Sequence, residues 1–224
     1  REWDPSLVGF LSSLVYFFVM AFVVVAVLGS FGVQTASIVA VLGAASFAVG
    51  LALQGSLANF AAGVMILLFR PFKVGDYVEV AGVAGSIKSI AIFSTTLATP
   101  DNVRIEVPNG KIYGDIIKNY AGYDTRRLDM VIGIGYGDDM AKAIELIRGV
   151  VEADERVLPD PAVTIAVAEL GDSSVNLIVR PWVKGSDYWP LKFDLTQRIK
   201  DTLDQNGIEI PFPQRVVTVV NAAS

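Results

Sequence analysis

Residues 7–69 share one pattern of hydrophobic and polar positions, and the chain after them follows two others. Residues 7–69 contain no Asp, Glu, Lys or Arg. Water-soluble helices need a polar face, whereas an uncharged stretch of about 18 or more apolar residues is typical of a membrane span. The segment Leu7–Leu28 predicts a first span, because a rise of about 1.5 Å per residue covers a hydrocarbon core of roughly 30 Å.

A second apolar segment runs from about Thr35 to Phe69, after a polar turn that contains glycine. As one straight helix it would be about 50 Å long, too long to cross a bilayer without a large tilt. We therefore expect it to break at Gly55 or Gly63, where glycine weakens a helix. The first half would span the membrane, the second would lie near the interface, and Pro71 would end the helix.

From Lys73 to about Tyr120 the hydrophobic period changes to two, which is typical of strands. Turn residues separate the strand patterns, most clearly at Pro108-Asn109-Gly110. This part of the chain therefore predicts a small all-β domain of the SH3/Sm-like kind.

From Arg126 onward the pattern is a strand, a helix over Met140–Ala153, two further strands, and a helix over Tyr188–Asn206. The order β-α-β-β-α indicates a ferredoxin-like α+β domain. A final VVTVV, Val216–Val220, predicts a lone strand, which needs a partner such as the same strand of other subunits.

These patterns divide the chain into four parts. The predicted boundaries place the transmembrane helices in residues 1–70, the small β domain in 71–127, the α+β domain in 128–213 and the C-terminal strand in 214–224.

The charges at the ends of the helical hairpin predict its orientation. Arg1 precedes the first span, and Arg70 and Lys73 follow the second. Positive residues favour the cytoplasmic side, so both ends and the large C-terminal part are expected in the cytoplasm. Asp4 would lie at the same face and is a candidate ion-pair partner of Arg70 and Lys73. The alternative is solvated charges worth under about 1 kcal/mol.

Composition argues against several functions. The net charge of −5 disfavours nucleic acid as a partner, because phosphate binding needs a basic face. Without His or Cys the chain has neither a catalytic triad nor a His/Cys zinc site, and nothing indicates a cofactor or a metal site. In GIGYGDD the glycines do not have the G-x-G-x-x-G spacing, and Asp138 and Asp139 are more typical of helix caps. We therefore expect a protein that is not an enzyme.

The segment GAASFAVGLALQG, residues 43–55, has the features of a pore-lining helix. At about 100° per residue, Phe47 and Leu51 form a narrow bulky stripe with small residues on both sides. Small residues allow close helix contact in membranes, and two different small faces imply two neighbours and hence a ring. Phe47 and Leu51 would then form two apolar collars that block ions by dewetting. The packing faces are Ala44, Ala48 and Ala52 on one side and Gly43, Ser46 and Gly50 on the other.

Other membrane proteins also use helices rich in small residues. Simple dimers and the packed interiors of transporters are alternatives that the pattern alone leaves open. A secondary transporter would need ionisable residues in the membrane, which residues 7–69 lack. A structural scaffold would leave the bulky stripe between two small faces unexplained.

With these motifs in place, the sequence resembles the small-conductance mechanosensitive channels of bacteria over nearly its whole length. The matching motifs, in order, are GVQTASIVAVLGAASFAVGLALQGSLANFAAGV, LLFRPFKVGDYVEV, VPNGKI and GIEIPFPQ. The resemblance implies a homoheptamer in the bacterial inner (cytoplasmic) membrane, with a vented cytoplasmic chamber closed by a β-barrel of C-terminal strands. Its partners would be membrane lipids and the permeant ions and small osmolytes released on osmotic downshock.

The resemblance also implies roles for single residues. Phe47 and Leu51 occupy the two positions of the pore seal. The other positions are Gly55 and Gly63 for helix kinks, Phe10, Leu53 and Leu57 for tension coupling, and Asn59 and Gly110 for a contact of the pore helix with the β domain that is linked to inactivation.

Three features depart from the family pattern. The upper seal is usually Leu and here is Phe47, and Ser46 stands where the family has a glycine. The family also places a further membrane helix before the residue that corresponds to Arg1. A bulkier collar should keep a closed pore dry, and Ser46 should loosen the helix contact slightly or add a hydrogen bond.

Overall fold

The computed structural model describes residues 5–217, which form two compact units. The first unit comprises the residues up to Arg70 together with Lys88–Ile116. The second comprises Pro71–Ile87 together with the residues from Ile117 onward. The helices are α1 Pro5–Ser30, α2 Ala36–Phe69, α3 Asn109–Tyr113, α4 Met140–Glu152 and α5 Tyr188–Gln205. The strands are β1 Tyr77–Val80, β2 Val83–Ile90, β3 Ser94–Ala98, β4 Arg104–Pro108, β5 Lys118–Asn119, β6 Thr125–Arg127, β7 Met130–Ile134, β8 Val157–Leu158, β9 Thr164–Leu170, β10 Val175–Arg180 and β11 Trp182–Lys184.

In the first unit, α1 and α2 are the two helices that the apolar segments predict. The segments Val8–Ser30 and Ala36–Phe69 are long and apolar enough to cross a membrane. Most of their large hydrophobic side chains are exposed in the isolated chain. A surface of this kind is what lipid or neighbouring subunits cover.

The expected break in the second apolar segment is wrong, because α2 runs without interruption through Gly55 and Gly63. Glycine costs a helix only about 1 kcal/mol relative to alanine and keeps its backbone N–H, whereas proline, which removes that donor, is absent from residues 36–69. The end before Pro71 is as predicted. Arg70 adopts a left-handed conformation with φ 49°, and its N–H donates to the carbonyl of Ile66.

The β3–β4 hairpin and α3 complete the first unit. The two strands pair antiparallel from Ser94 opposite Pro108 to Ala98 opposite Arg104. Pro108-Asn109-Gly110, predicted as a turn, is the entry to α3 instead, so the segment is not purely β. The proline φ of −58° suits the residue before a helix, and five residues are too few to show a helical period.

In the second unit, β1 pairs antiparallel with both β2 and β5. The turn between β1 and β2 is Ala81-Gly82, and both residues have positive φ values, 48° and 77°. Two consecutive residues of this kind form the hairpin turn that matches the twist of the strands, and glycine adopts it without strain.

The α+β part of the second unit contains the predicted elements in order as β7, α4, β9, β10 and α5, and it adds the short strands β6, β8 and β11. Strands β7, β10 and β9 form an antiparallel sheet in that order, so the first and third strands lie side by side. The buried faces of α4 and α5 belong to the same hydrophobic core as this sheet. The segment predicted as one strand, SVNLIVRPWVK, is divided at Pro181 into β10 and β11, because proline has no N–H for a strand ladder. β11 lies between β6 and β8 in a second small sheet.

The predicted strand Val216–Val220 lies partly outside the described residues. Residues 211–217 carry no helix or strand, and Val216 and Val217 are exposed. The β-barrel between subunits stays a prediction.

Candidate pore and gating contacts

The predicted pore stripe lies on a regular helix whose side chains are free of the rest of the described chain. Every residue of α2 from Ala36 to Ala58 is exposed. Phe47 is 70% exposed and Leu51 is 57% exposed. Because the segment is helical throughout, Phe47 and Leu51 lie on one stripe at the spacing that the sequence predicts. These apolar side chains therefore face lipid, water or other copies of the chain.

No contact within the described part of one chain explains why the two faces beside the stripe carry only small residues. A Cβ atom added at Gly43, Gly50 or Gly55 would meet no atom of another described segment within 4 Å. The Ser46 hydroxyl donates to the carbonyl of Leu42 at 2.8 Å, so its hydrogen bond is made inside its own helix. Ala44, Ala48 and Ala52 are exposed like the rest of this stretch. Packing of these small residues against a neighbouring helix stays a prediction.

The residues expected to transmit tension are exposed as well. Phe10 is 64%, Leu53 is 56% and Leu57 is 67% exposed. None of the three is buried against another part of the described chain, so their role in coupling stays a prediction.

The structure brings Asn59 and Gly110 together. The Gly110 N–H donates to Asn59 Oδ1 at 2.8 Å, and Asn59 Nδ2 donates to the carbonyl of Gly55 at 3.0 Å. One side chain thus joins the C-terminal half of α2 to the first turn of α3, 51 residues away. The role of this contact in inactivation stays a prediction.

Beside this contact lies a buried polar cluster that the sequence pattern did not reveal. Thr95 and Asn109 are wholly buried. Thr95 Oγ1 donates to Asn109 Oδ1 at 2.8 Å, and Asn109 Nδ2 donates to the carbonyl of Ala91 at 2.9 Å. The only sequence signal was the Pro-Asn-Gly motif, which indicates a change of chain direction but not the partners of its asparagine.

The proposed ion pairing near the membrane surface involves one residue, Asp4, that lies outside the described range. Arg70 Nε donates to the carbonyl of Leu67 at 3.4 Å, and the Lys73 backbone N–H donates to Asp76 Oδ2 at 3.1 Å. Neither Arg70 nor Lys73 forms an ion pair with another residue in the range 5–217. Pairing with Asp4 stays a prediction.

Of the two aspartates in GIGYGDD, one caps a helix and the other does not. Asp139 Oδ1 accepts from the N–H groups of Ala141 and Lys142 at 2.9 and 3.1 Å, which is the predicted cap of α4. The predicted cap is wrong for Asp138. Its Oδ2 accepts from the N–H groups of Gly135 and Glu209 at 3.0 and 2.9 Å, because the chain returns here after α5.

A second feature that sequence reasoning missed is a buried carboxylate between α4 and α5. The Asp154 side chain is 8% exposed and accepts hydrogen bonds from two arginines. Arg156 binds both carboxylate oxygens at 2.9 Å, and Arg198 Nη1 donates at 2.8 Å. The Arg156 hydrogen bonds, with the nearby positive charges, lower the pKa of Asp154 to about 2.

Three family models match successive parts of the chain. Residues 13–54 match "Mechanosensitive ion channel, transmembrane helices 2/3". Residues 55–122 match "Mechanosensitive ion channel, beta-domain", and residues 128–210 match "Mechanosensitive ion channel MscS, C-terminal".

Individual relatives are similar over nearly the whole chain. A small-conductance mechanosensitive channel of Edwardsiella ictaluri is 49% identical over 222 residues, which are 99% of this chain and 78% of the relative. An uncharacterised MscS family protein of Synechocystis is 46% identical over 97% of this chain and 73% of its own length. The crystal structure of Helicobacter pylori MscS in the closed state superimposes with a TM-score of 0.89 at 32% identity, over 99% of this chain and 88% of that one.

Proposed function

The chain belongs to the family of small-conductance mechanosensitive (MscS) ion channels, and we propose that it forms an ion channel opened by membrane tension. This is a family of channels and not of enzymes. The relative of Edwardsiella ictaluri carries the name of such a channel. The observation that supports the function most directly is the bulky stripe of α2. It is exposed between two small faces against which no other part of residues 5–217 packs.

The proposed pore is a ring of α2 helices in a homo-oligomer, with seven copies as the resemblance implies. The face of Ala44, Ala48 and Ala52 would pack against the face of Gly43, Ser46 and Gly50 of the next copy. Phe47 and Leu51 would then point to the axis as two apolar collars. Such a constriction excludes water and therefore ions while it is narrow.

The proposed mechanism is mechanical and involves no chemical step. If opening expands the ring, tension does work in proportion to the added membrane area and shifts the population toward the open state. Phe10, Leu53 and Leu57 would pass the tension from α1 to α2, and Gly55 and Gly63 are the candidate bending positions. Ions and small osmolytes would leave the cell on osmotic downshock.

The remaining parts of the proposal concern the setting of the channel. It would lie in the bacterial inner membrane with its C-terminal part in the cytoplasm. The parts 1–70, 71–127, 128–213 and 214–224 would serve as membrane helices, β domain, α+β domain and barrel strand. The last of these would close a cytoplasmic chamber.

The proposed function is tested by replacing the apolar collar of Leu51 with a polar one. In Leu51→Ser the constriction should hold water at a smaller diameter, so we expect opening at lower tension in patch-clamp recordings of liposomes under graded suction. Val49→Ser, on the opposite side of the same helix, is the matched control and should leave the threshold unchanged. Equal thresholds for Leu51→Ser and the unchanged protein would exclude a hydrophobic gate at this position.

A further inference from the structure

The chain that follows α5 runs back across the α+β part of the second unit. We call residues 206–214 the strap. Gly207 has a φ of 73°, and the Ile208 N–H donates to the carbonyl of Leu203 at 3.0 Å. This is the usual way in which a glycine ends a helix, and it turns Ile208 into the hydrophobic core. The strap therefore begins from a buried position.

The first residues of the strap are bound by the loop between β7 and α4, which belongs to the motif GIGYGDD. The Gly135 N–H donates to the Glu209 carbonyl at 3.0 Å. Asp138 Oδ2 accepts from the N–H groups of Gly135 and Glu209 at 3.0 and 2.9 Å. Lys142 Nζ donates to the carbonyl of Asn206 at 2.7 Å, where its charge suits the negative end of α5. One carboxylate thus joins the loop to the strap.

This contact gives a reason for glycine at position 135. A Cβ atom added at Gly135 would lie 3.0 Å from Asp138 Oδ2 and 3.8 Å from Cβ of Glu209. A side chain at this position would have to displace the carboxylate that binds the strap. The glycine of a motif that does not fit a phosphate loop therefore leaves room for the returning chain.

The far end of the strap is bound as well. The Gln214 N–H donates to Ser173 Oγ in the turn between β9 and β10, at 3.0 Å. Between the two contacts, Pro211 and Pro213 fix their own φ angles and favour an extended conformation in the residues before them. Val216 is 100% exposed. The chain therefore leaves the α+β part immediately after a stiff segment that is held at both ends.

We propose that the strap positions the C-terminal strand for pairing with other copies of the chain, and that Asp138 is the positioning residue. A lone strand needs partners from other copies. A fixed starting point reduces the conformational freedom that each strand loses when it pairs. The inference deepens the proposed function and rests on it, because the β-barrel between subunits is part of that proposal.

Hydrogen exchange of the purified oligomer tests whether Asp138 holds the strap. In Asp138→Ala we expect the amide of Glu209 to exchange at least about tenfold faster, the factor that loss of one hydrogen bond to a charged group implies. The amides of β10, in the core of the same part, should exchange as in the unchanged protein. Unchanged exchange at Glu209, or faster exchange throughout the α+β part, would overturn the role of Asp138 in holding the strap.

Two further variants separate this role from a loss of charge. Asp138→Asn keeps an oxygen that can accept the Glu209 N–H, so its exchange rate should lie between those of Asp138→Ala and the unchanged protein. Asp201→Ala removes an exposed carboxylate from α5 and should leave the exchange of Glu209 unchanged. Equal effects of Asp201→Ala and Asp138→Ala would contradict a specific contact.

Dissociation of the oligomer tests whether the position of the strand matters for assembly. Removal of residues 216–224 takes the predicted strand away, whereas Asp138→Ala keeps the strand and frees its start. We expect both variants to dissociate into single copies at a lower urea concentration than the unchanged protein, as followed by native mass. Asp201→Ala should dissociate like the unchanged protein.

The possible outcomes distinguish the inference from the proposed function. Earlier dissociation of the shortened chain, with Asp138→Ala as resistant as the unchanged protein, would overturn the positioning role and leave the barrel in place. A shortened chain that resists urea like the unchanged protein would overturn the barrel and the inference with it. Neither readout involves current, so absence of tension-activated current in the unchanged protein would overturn the proposed channel function by itself.

Discussion

At the scale of single residues, the pKa of Asp154 shows most clearly the effect of its surroundings. Its pKa is lowered from 3.8 to about 2, chiefly by the hydrogen bonds of Arg156. A carboxyl with a lowered folded-state pKa contributes stability that is fully present above its unfolded pKa and is lost as the pH falls through the folded value. The shift corresponds to about 2 kcal/mol, so the contribution of Asp154 should disappear between about pH 4 and pH 2.

Asp154→Asn should therefore be less stable than the unchanged protein at pH 7, by about 2 kcal/mol. The difference between the two proteins should shrink as the pH is lowered from 4 toward 2. Thermal unfolding of the purified protein over this pH series measures both effects. Glu152→Gln is the control, because Glu152 forms an exposed pair with Arg148, and it should change stability little. A difference that is constant over the whole pH range would contradict the argument.

Residue spacing along one helix made Phe47 and Leu51 predictable, because about 100° per residue places them on one stripe without knowledge of the fold. Asp154 was not predictable in the same way. Its partner Arg198 is 44 residues away and reaches it only after α4 and α5 have packed together. The same holds for Gly63. A Cβ atom added there would lie 2.9 Å from the carbonyl carbon of Ile92, because the chain that follows β2 passes close to α2.

At the scale of elements, the bond between Thr95 in β3 and Asn109 in α3 joins these two elements next to the contact of α3 with Asn59 of α2. Both side chains are wholly buried and joined at 2.8 Å. Thr95→Val keeps the shape of the side chain but leaves Asn109 Oδ1 without its donor, which should cost about 1–3 kcal/mol. Thermal or denaturant unfolding measures the loss.

Ser94→Ala is the control for this substitution. Ser94 is the neighbouring residue of the same strand, and its hydroxyl donates to the exposed Glu106 carboxylate at 2.8 Å. Losing an exposed hydrogen bond should change stability by under about 1 kcal/mol. Similar losses of stability for Thr95→Val and Ser94→Ala would show that burial does not increase the contribution of the Thr95–Asn109 hydrogen bond to stability.

Elements with a clear period were predicted, and elements set by tertiary contact were not. Both membrane helices, α4 and α5 follow from runs of apolar residues or a helical period, and β7, β9 and β10 follow from strand patterns between turn signals. The short α3 was missed because five residues show no period. The break expected in α2 was wrong. A helix longer than the bilayer is thick does not have to break, because two glycines do not by themselves interrupt the backbone hydrogen bonds.

At the scale of the whole molecule, four motifs in order predicted the family, and the family is confirmed. The structure of one chain adds a reason for assembly. Among the described residues, Gly43 and Gly50 have no neighbour that excludes a side chain, and the large apolar side chains of α1 and α2 are mostly exposed. The described part of the chain does not explain these small residues, and contact with a second copy would explain them.

If the small faces pack between neighbouring copies, a larger side chain on one of them should lower the tension at which the channel opens. Ala48→Leu places a large side chain where the neighbouring helix should pack, which pushes the helices apart and widens the collars of Phe47 and Leu51. We expect opening at lower tension in patch recordings, and a native mass of seven copies for the unchanged protein. Val49→Leu puts the same side chain on the face opposite the Phe47 and Leu51 stripe, outside both small faces, and should leave the threshold where it is. If both leucines shift the threshold equally, or neither does, the small faces are not the seam between subunits, and the ring must close through other surfaces.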